Sequence, residues 1–278
     1  MKTNILSIRS FDLPRHLAFT AWAEHIPFSF ELISRLRPKL IVELGVHNGV
    51  SYFAFCQAIK TNNLPCSCYA VDTWIGDEHA GFYGDEVYKN VVNHNSENYA
   101  SFSYLLRSSF ADALSYFEDK TIDLLHIVGL HTYEAVKSDF ETWLPKLSDS
   151  SIVLFHDISV RERGFGVFRL WEELSLKYPS FSFIHGYGLG VLATGKDIPV
   201  DIQALFKYAD SEEIEEIRSC YYHLGSSISE KLKLKQSYER SIGRLQLELE
   251  NKVNEMNTVS RELETLREAM GISNNNIE

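Results

Sequence analysis

The segment at residues 40–50 constrains the fold of this chain more than any other. An apolar run that includes Glu43 leads into Gly45 and Gly49, and a helix-compatible pattern begins near Ser51. This order predicts a strand, a tight turn and a helix, in which glycine permits unusual backbone angles and close approach of a ligand. The segment lacks the G-x-G-x-x-G spacing of dinucleotide sites and the G-K-S/T of a phosphate loop. An acid at the strand end favours a ligand with a cationic amine, and an ordinary tight turn is the alternative.

Further apolar runs alternate with helical patterns up to about residue 197. The predicted strands are 40–44, 67–72, 102–106, 122–128 and 152–156, and the predicted helices include 28–36 and 133–147. Strands that alternate with helices indicate a doubly wound α/β sheet. Residues 181–186 and 189–194 are also strand-like, and Tyr187 and Gly188 lie between them. So short a link predicts an antiparallel hairpin at the end of the sheet.

The composition limits the classes of partner. A net charge of −11 disfavours a nucleic-acid backbone as the main partner, since proteins that bind one usually carry a basic face. The 4 cysteines form no C-x-x-C pair, so neither a zinc site nor a disulfide framework is predicted. No apolar run reaches the ~18 residues of a membrane span, and no apolar signal core follows the N-terminus. We therefore expect a cytoplasmic protein without a transmembrane segment, peripheral at the inner membrane only through a partner.

Beyond about residue 210 the chain has no proline and is rich in Glu, Lys and Leu. Apolar residues there follow a and d positions over about four heptads, which predicts a coiled coil. They are Ile242, Leu245, Leu249, Met256, Val259, Leu263, Leu266 and Met270, with Lys252 as the polar exception. We expect self-association through parallel helices, and a long helix folded back on the globular domain is the alternative. Because the pattern runs almost to Glu278, the chain could be the N-terminal part of a longer protein.

Several short segments together carry a family resemblance. They are His25-Ile26-Pro27-Phe28, 42–52 (VELGVHNGVSY), 70–74 (AVDTW), 76–81 (GDEHAG), 129–133 (GLHTY), 139–145 (DFETWLP) and 155–157 (FHD). In these segments the chain resembles class I S-adenosylmethionine-dependent methyltransferases, especially small bacterial enzymes of surface-polysaccharide biosynthesis. The resemblance implies a Rossmann-like, seven-stranded α/β sheet that ends in an antiparallel hairpin. It places an N-terminal lead at 1–17, the methyltransferase domain at 18–198, and a helical tail at 199–278 with its strongest coiled-coil pattern at 242–270.

The resemblance also implies S-adenosylmethionine as the cofactor. Gly45 and Gly49 would border its methionine part together with Glu43, and Asp72 would hold the ribose hydroxyls. The full set of implied cofactor residues is Glu43, Gly45, Asn48, Gly49, Ser51, Asp72, Thr73, Trp74, Ser109 and Phe110, the last two near the adenine. Asp72 and Ser109 have a plain alternative as helix caps.

A sugar hydroxyl is a poor nucleophile that benefits from a general base or a metal. In related sugar methyltransferases an acid after the fourth strand binds a divalent metal, and a histidine three residues later takes the proton. Here His131 is at the histidine position and Asp157 follows the fifth strand, so both are implied as catalytic residues. The acid position is Val128, which cannot bind Mg²⁺ or another hard cation. We therefore expect a weakened or lost metal site, for which Asp157 and His156 are the remaining candidates.

Three explanations of Val128 stay open. The enzyme could work without a metal, with His131 as the base. The chain could be inactive, by nature or through an engineered substitution, or weak metal binding could persist through Asp157 and other groups. His131 and Asp157 also have plain alternatives as caps of a helix or turn.

The loop at 74–84 is rich in glycine, acids and aromatic residues, and it follows the second strand on the cofactor side. Such loops often form lids or substrate walls, and rings with carboxylates suit sugar recognition. The predicted substrate residues are Asp77, His79, Tyr133 and Arg161. A mobile loop with Trp74 in the core is the alternative.

Two hypotheses of function follow. The first is an S-adenosylmethionine-dependent O-methyltransferase that acts on a saccharide acceptor, a sugar hydroxyl of a bacterial surface glycan or its precursor. Its coiled coil would set the spacing from a glycan-assembly enzyme. The second is a catalytically impaired, methyltransferase-like scaffold module that binds the cofactor and oligomerises through its coiled coil. A nucleic-acid methyltransferase is disfavoured by the acidic balance.

Overall fold

The structure is a computed structural model that describes residues 6–207 and 213–271. Residues 1–5, 208–212 and 272–278, which belong to the predicted lead and tail, lie outside the described residues.

The apolar runs form one large sheet and a small separate hairpin. The strands, in chain order, are β1 (Leu40–Leu44), β2 (Ser67–Asp72), β3 (Gly76–Asp77), β4 (Gly81–Phe82), β5 (Ser103–Arg107), β6 (Ile122–Ile127), β7 (Leu147–His156), β8 (Ser180–Phe183) and β9 (Leu189–Ala193). The large sheet has seven strands in the order β5-β2-β1-β6-β7-β9-β8, and β3 pairs with β4 alone. Strand β9 is antiparallel to both β7 and β8, and the other neighbours in the large sheet are parallel. The predicted α/β sheet with an antiparallel end is confirmed.

Helices precede the first strand, connect later strands, and continue the chain after the last strand of the sheet. They are α1 (Ile26–Leu36), α2 (Val50–Thr61), α3 (Asp85–Asn98), α4 (Phe110–Ala113), α5 (Tyr133–Trp143), α6 (Val167–Ser175), α7 (Val200–Lys207) and α8 (Ile214–Ala269). The helix predicted at 133–147 is shorter, because a 3₁₀ turn that contains Pro145 follows Trp143 and Leu147 begins β7. Proline has no backbone N–H with which to continue the helical hydrogen bonds.

The central strands β1, β6 and β7 form the core of the sheet. Val42, Leu125 and Val153 lie side by side on them and are fully buried. Strands covered on both faces are apolar along their length, as expected for a parallel sheet. Polar side chains of this region are therefore concentrated where the strands end, and this edge carries the site described below.

The chain divides into two compact units, Met1–Ser229 and Glu230–Glu278. The first unit contains the sheet, the helices α1 to α7 and the start of α8. There the Tyr221 ring lies 5.5 Å from the Phe28 ring and 5.4 Å from the Phe183 ring, so part of the predicted tail packs on the sheet domain. The rest of α8 belongs to the second unit. In the described parts of the chain, no helix is both long and apolar enough to cross a membrane.

Candidate active site

A cavity of about 430 Å³ lies where β1, β6 and β7 end. Open α/β sheets bind ligands at this edge, and the volume is within the range of small-molecule sites. The lining comes from parts of the stretches 19–22, 45–51, 128–131 and 156–165, with His79, Ala80 and Tyr187. The cavity therefore brings together segments that are far apart in the sequence.

The turn after β1 needs glycine for both conformation and space. Gly45 has a φ of +89°, and a Cβ at this position would lie 2.4 Å from the carbonyl oxygen of Val128. Gly49, at the start of α2, has a φ of +76°, and its Cβ would lie 2.7 Å from the Phe53 ring. Only glycine adopts such angles without strain. The ends of β1 and β6 are therefore in backbone contact at the floor of the cavity.

Asp72 holds this glycine loop from behind. Its Oδ2 atom accepts hydrogen bonds from the backbone N–H groups of Val46 at 2.7 Å and His47 at 2.9 Å, and Oδ1 accepts one from Trp74 N at 2.7 Å. Loops that bind phosphate instead aim free N–H groups at the anion. Because Asp72 already uses two of these groups, the loop favours a ligand that approaches the backbone without bringing a phosphate.

Glu43 is fully buried and also supports the loop from within the protein. Its Oε1 atom accepts a hydrogen bond from the Ser51 hydroxyl at 2.7 Å, and Oε2 lies 2.9 Å from Nδ1 of the equally buried His126. Buried carboxylates require such partners, because an isolated charge in the interior is costly. Glu43 thereby joins β1 to the first turn of α2 and to β6.

Two histidines meet one carboxylate oxygen at the other side of the cavity. His131 Nε2 lies 2.9 Å from Asp157 Oδ2, and His156 Nδ1 lies 3.0 Å from the same oxygen. His156 Nε2 is in turn 3.0 Å from the carbonyl oxygen of Gly186. Asp157 has a φ of +63°, a conformation that is uncommon for a residue with a side chain. Strained backbone of this kind is concentrated at functional sites.

The environment of Asp157 determines which nitrogen of His131 is available. Burial by itself would raise the pKa of Asp157, but His156 and His131 outweigh it and hold that pKa well below its usual value. The ionised carboxylate only accepts hydrogen bonds, which favours a proton on His131 Nε2 and leaves the lone pair on Nδ1. Both ring nitrogens of His131 are buried and neither makes a hydrogen bond of good geometry among the described residues, although Nε2 lies 2.9 Å from Asp157 Oδ2. His131 therefore has one nitrogen next to a carboxylate and the other buried without a partner.

The loop after β2 contacts His131 from the opposite wall. Asp77 Oδ1 accepts a hydrogen bond from His79 N at 2.7 Å and so shapes the turn, and His79 lines the cavity. His79 Nδ1 accepts one from His131 N at 3.3 Å, and Arg163 Nη2 donates to the His79 carbonyl at 2.8 Å. The Phe165 ring stacks on the His131 ring at 4.6 Å and on the His79 ring at 4.5 Å. These contacts join the loops after β2 and β7 and restrict the His131 ring.

The sequence between β1 and the turn after β7 matches a known family. Residues 42–158 fit the family model described as a methyltransferase domain. This segment includes the glycine loop, Asp72, His131 and Asp157, so the match covers most of the site. Residues 42–158 are therefore similar to a methyltransferase domain.

Known proteins resemble the chain at two levels. The uncharacterized protein y4gI of Sinorhizobium fredii (strain NBRC 101917 / NGR234) is 52% identical over 196 residues, which are 70% of this chain and 22% of y4gI. The chain therefore spans about a fifth of the length of that relative. A putative caffeoyl-CoA O-methyltransferase from Staphylococcus aureus is 14% identical, with a TM-score of 0.49 over 65% of this chain and 86% of that chain. The O-methyltransferase TomG from Streptomyces achromogenes, solved with S-adenosylmethionine, is 14% identical, with a TM-score of 0.46 over 67% of this chain and 85% of that chain.

The glycine loop fits S-adenosylmethionine, the cofactor that the resemblance implies. Gly45, Asn48 and Ser51 line the cavity, as the resemblance implies for cofactor residues. The bare backbone at Gly45 and the N–H groups taken by Asp72 suit this cofactor, which contains no phosphate. His16 Nε2 lies 2.8 Å from the Asn48 carbonyl oxygen, and the Asn48 side chain donates to the Phe19 carbonyl, so the N-terminal segment closes this end of the cavity.

A divalent metal does not fit the same cavity. Val128 lines the cavity at the position implied for an acid and offers no ligand. Asp157 already faces His131 and His156 through one oxygen. In residues 6–207 and 213–271, no group of three or more His, Cys, Asp or Glu side chains is arranged to hold a metal.

Several implied cofactor residues do not line the cavity. They are Glu43, Gly49, Asp72, Thr73, Trp74, Ser109 and Phe110. Ser109 is the N-cap of α4, and Trp74 is 1% exposed and donates from Nε1 to the His47 carbonyl. The Phe110 ring packs against Gly129, whose Cβ would lie 2.4 Å from it. Their part in cofactor binding stays a prediction.

Two predicted substrate residues make contacts outside the cavity. The Tyr133 hydroxyl donates to Glu173 at 2.8 Å, and Arg161 forms an ion pair with Glu172 at 3.2 Å. Arg163 lines the cavity instead of Arg161. Arg163 has a φ of +55° and precedes Gly164 at +75°, so the chain reverses there and returns to the cavity. A chain reversal inside a loop leaves no periodic pattern in the sequence from which it could be predicted.

Sequence reasoning also missed residues that close the cavity. Among them are Phe19, Trp22, His47 and Tyr187. Phe165 was not missed, because the sequence indicates the segment 161–167, a loop after a strand, as a wall of the acceptor side. Phe19 and Trp22 precede the first strand and carry no comparable signal.

Proposed function

We propose that the protein transfers a methyl group from S-adenosylmethionine to a hydroxyl of a saccharide, in a bacterial surface glycan or its precursor. The observation that carries the proposal is the His131–Asp157 pair, which lines the cavity next to the glycine loop and has a buried, unpartnered Nδ1 atom. The family match of residues 42–158 supports the transfer of a methyl group.

The glycine loop, Asn48 and Ser51 would hold the cofactor, with Asp72 and Glu43 keeping the loop in shape. When bound, S-adenosylmethionine supplies an activated methyl group, so the protein mainly has to align the acceptor and remove its proton. We assign proton removal to His131 Nδ1. Asp157 stabilises the imidazolium that forms, and Phe165 keeps the ring plane from rotating.

The cavity walls support a sugar acceptor. Phe19, Trp22 and Tyr187 place aromatic rings at the cavity, and Glu162 and Arg163 add polar groups. Rings of this kind pack on the C–H faces of sugars, while carboxylate and guanidinium groups bind hydroxyls or a phosphate. The pairing of rings and charges therefore favours a sugar, and a sugar nucleotide in particular, over an apolar acceptor.

The test combines binding with turnover. Calorimetry with S-adenosylhomocysteine reports the cofactor site, and release of S-adenosylhomocysteine from S-adenosylmethionine reports transfer to UDP-glucose, GDP-mannose or methyl glycosides. His131→Ala should lower kcat by about 10²–10⁴ and leave the Kd for S-adenosylhomocysteine within about threefold, because a base acts only in the transition state. His223→Ala, on the exposed side of α8, is the matched control and should change neither. Absence of binding would reject the cofactor assignment, and full activity of His131→Ala would reject the base.

Val128 also favours a second function, that of a cofactor-binding scaffold without catalysis. Val128→Asp separates the two functions. The proposed enzyme is active as it stands, without Mg²⁺. A scaffold would bind S-adenosylhomocysteine, show no turnover with any of these acceptors, and gain Mg²⁺-dependent turnover only as Val128→Asp.

A further inference from the structure

In the described part of the second unit, residues 230–271, one apolar face of the helix is left uncovered by the unit's own residues. Ile242, Leu245, Leu249, Met256, Val259, Leu263, Leu266 and Met270 are each between 51% and 72% exposed. Single exposed apolar residues are common, but a continuous stripe indicates an interaction surface. The stripe is about 40 Å long at about 1.5 Å per residue.

The spacing of this stripe specifies the kind of partner. Ile242, Leu249, Met256, Leu263 and Met270 are at a positions, and Leu245, Lys252, Val259 and Leu266 are at d positions. A repeat of about 3.5 residues keeps its seam facing another helix only if the two helices supercoil. The partner is therefore a helix with a matching seam, and a second copy of this chain has one.

We propose that this face binds the same face of a second copy, with the two helices parallel and in register. The positions beside the seam determine the orientation. The g positions are Glu248, Glu255 and Glu262, and the matching e positions are Val253, Ser260 and Arg267. In a parallel pair each g residue faces the e residue five positions later in the other helix. Glu262 then faces Arg267 of the partner subunit, and the other two glutamates face uncharged residues.

An antiparallel pair would instead place g positions opposite g positions. Glu248 would then face Glu262 of the partner subunit, and the two Glu255 side chains would face each other. Like charges at flanking positions weaken a coiled coil and select against that pairing. The charge pattern therefore favours the parallel arrangement.

Lys252 is the weak point of the seam. At a d position of an in-register parallel pair, the Lys252 side chains of the two copies meet. Lys252 Nζ bonds Glu255 Oε2 of its own helix at 2.9 Å, which draws the ammonium group away from the seam. A polar residue at one core position costs stability and specifies register. Lys252→Leu should therefore tighten the association at least tenfold.

The first test is sedimentation equilibrium of the full chain over a range of concentrations. The chain should self-associate reversibly, and Leu249→Asp combined with Leu263→Asp should leave it monomeric. Leu247→Asp is the matched control, because Leu247 is 59% exposed on the same helix but lies outside the seam, and it should associate as the unaltered chain does. A monomeric unaltered chain would overturn the proposal, as would association that survives Leu249→Asp with Leu263→Asp.

A second test reports orientation. Cys220 is exposed and is first replaced by Ser, while the other three cysteines are buried. In that background Leu266→Cys should form a disulfide between two copies under mild oxidation, because d positions meet in a parallel pair, and Leu247→Cys should not. Association without this disulfide would reject the parallel register. Methyl transfer is measured separately, so these outcomes do not depend on the proposed activity.

Discussion

Substitution of Gly45 by alanine tests whether the floor of the cavity depends on backbone contact between β1 and β6. A Cβ at position 45 would lie 2.4 Å from the Val128 carbonyl oxygen, 2.6 Å from its carbonyl carbon and 2.9 Å from Gly129 N. All three are backbone atoms at the end of a central strand, so none can rotate away as the tip of a side chain does. The φ of +89° adds the cost of a left-handed conformation.

Gly81 serves as the control that separates the cost of the left-handed backbone conformation from the cost of the steric overlap. It has a φ of +83°, but a Cβ there would meet nothing within 4 Å. Gly81→Ala should therefore cost only about 1–2 kcal/mol for the backbone conformation. Gly45→Ala should cost about 1–3 kcal/mol more, since the overlap forces backbone atoms to shift. The expected total is about 2–5 kcal/mol at Gly45.

Urea unfolding of both variants measures this difference in the free energy of unfolding, and calorimetry with S-adenosylhomocysteine measures its effect on the site. Relief of the overlap moves the ends of β1 and β6 apart, so Gly45→Ala should also weaken binding at least tenfold. Equal costs at Gly45 and Gly81, or an unchanged Kd in a destabilised Gly45→Ala protein, would refute the reasoning.

Three further predictions concern titration and ring positioning. Burial raises the pKa of Asp139 to about 6. The contribution of Asp139 to the free energy of unfolding is therefore complete at pH values below the pKa that this carboxyl has in the unfolded chain, and it is lost as the pH rises through about 6. Asp139→Asn should therefore raise the free energy of unfolding by about 1–2 kcal/mol at about pH 8, with little change at about pH 3. Burial lowers the pKa of His185 to about 4, so its contribution is present above the unfolded pKa of about 6.5 and is lost as the pH falls through about 4. His185→Gln should reduce the loss of stability between about pH 7 and pH 4 in urea unfolding, and an unchanged pH profile would contradict the role of burial. Phe165→Leu removes the ring that stacks on His131 and should lower kcat about tenfold with the KM for S-adenosylmethionine unchanged, since positioning affects the transition state. A rise in this KM with kcat unchanged would instead indicate a binding role.

The residues that support the loop show where sequence reasoning stopped. The resemblance implies Glu43 and Asp72 as strand-end acids that contact the cofactor, and in the structure their side chains bind Ser51, His126 and the loop N–H groups. A strand-end acid that binds a ligand and one that braces a loop look the same in a sequence. Which one it is depends on how closely a neighbouring segment approaches, and that distance is set by the packing of other elements.

Local patterns in the sequence were sufficient to predict several of the elements. Apolar runs defined β1, β2 and the hairpin of β8 and β9, and the heptad spacing defined the stripe on α8, because periodicity and short links act over neighbouring residues. The tertiary structure alone decided which side chains meet. It placed Phe165 on His131, turned Arg163 instead of Arg161 into the cavity, and brought the segment at 19–22 over the glycine loop. These contacts join residues from separate elements, and the sheet brings them together only because its parallel strands end at one edge.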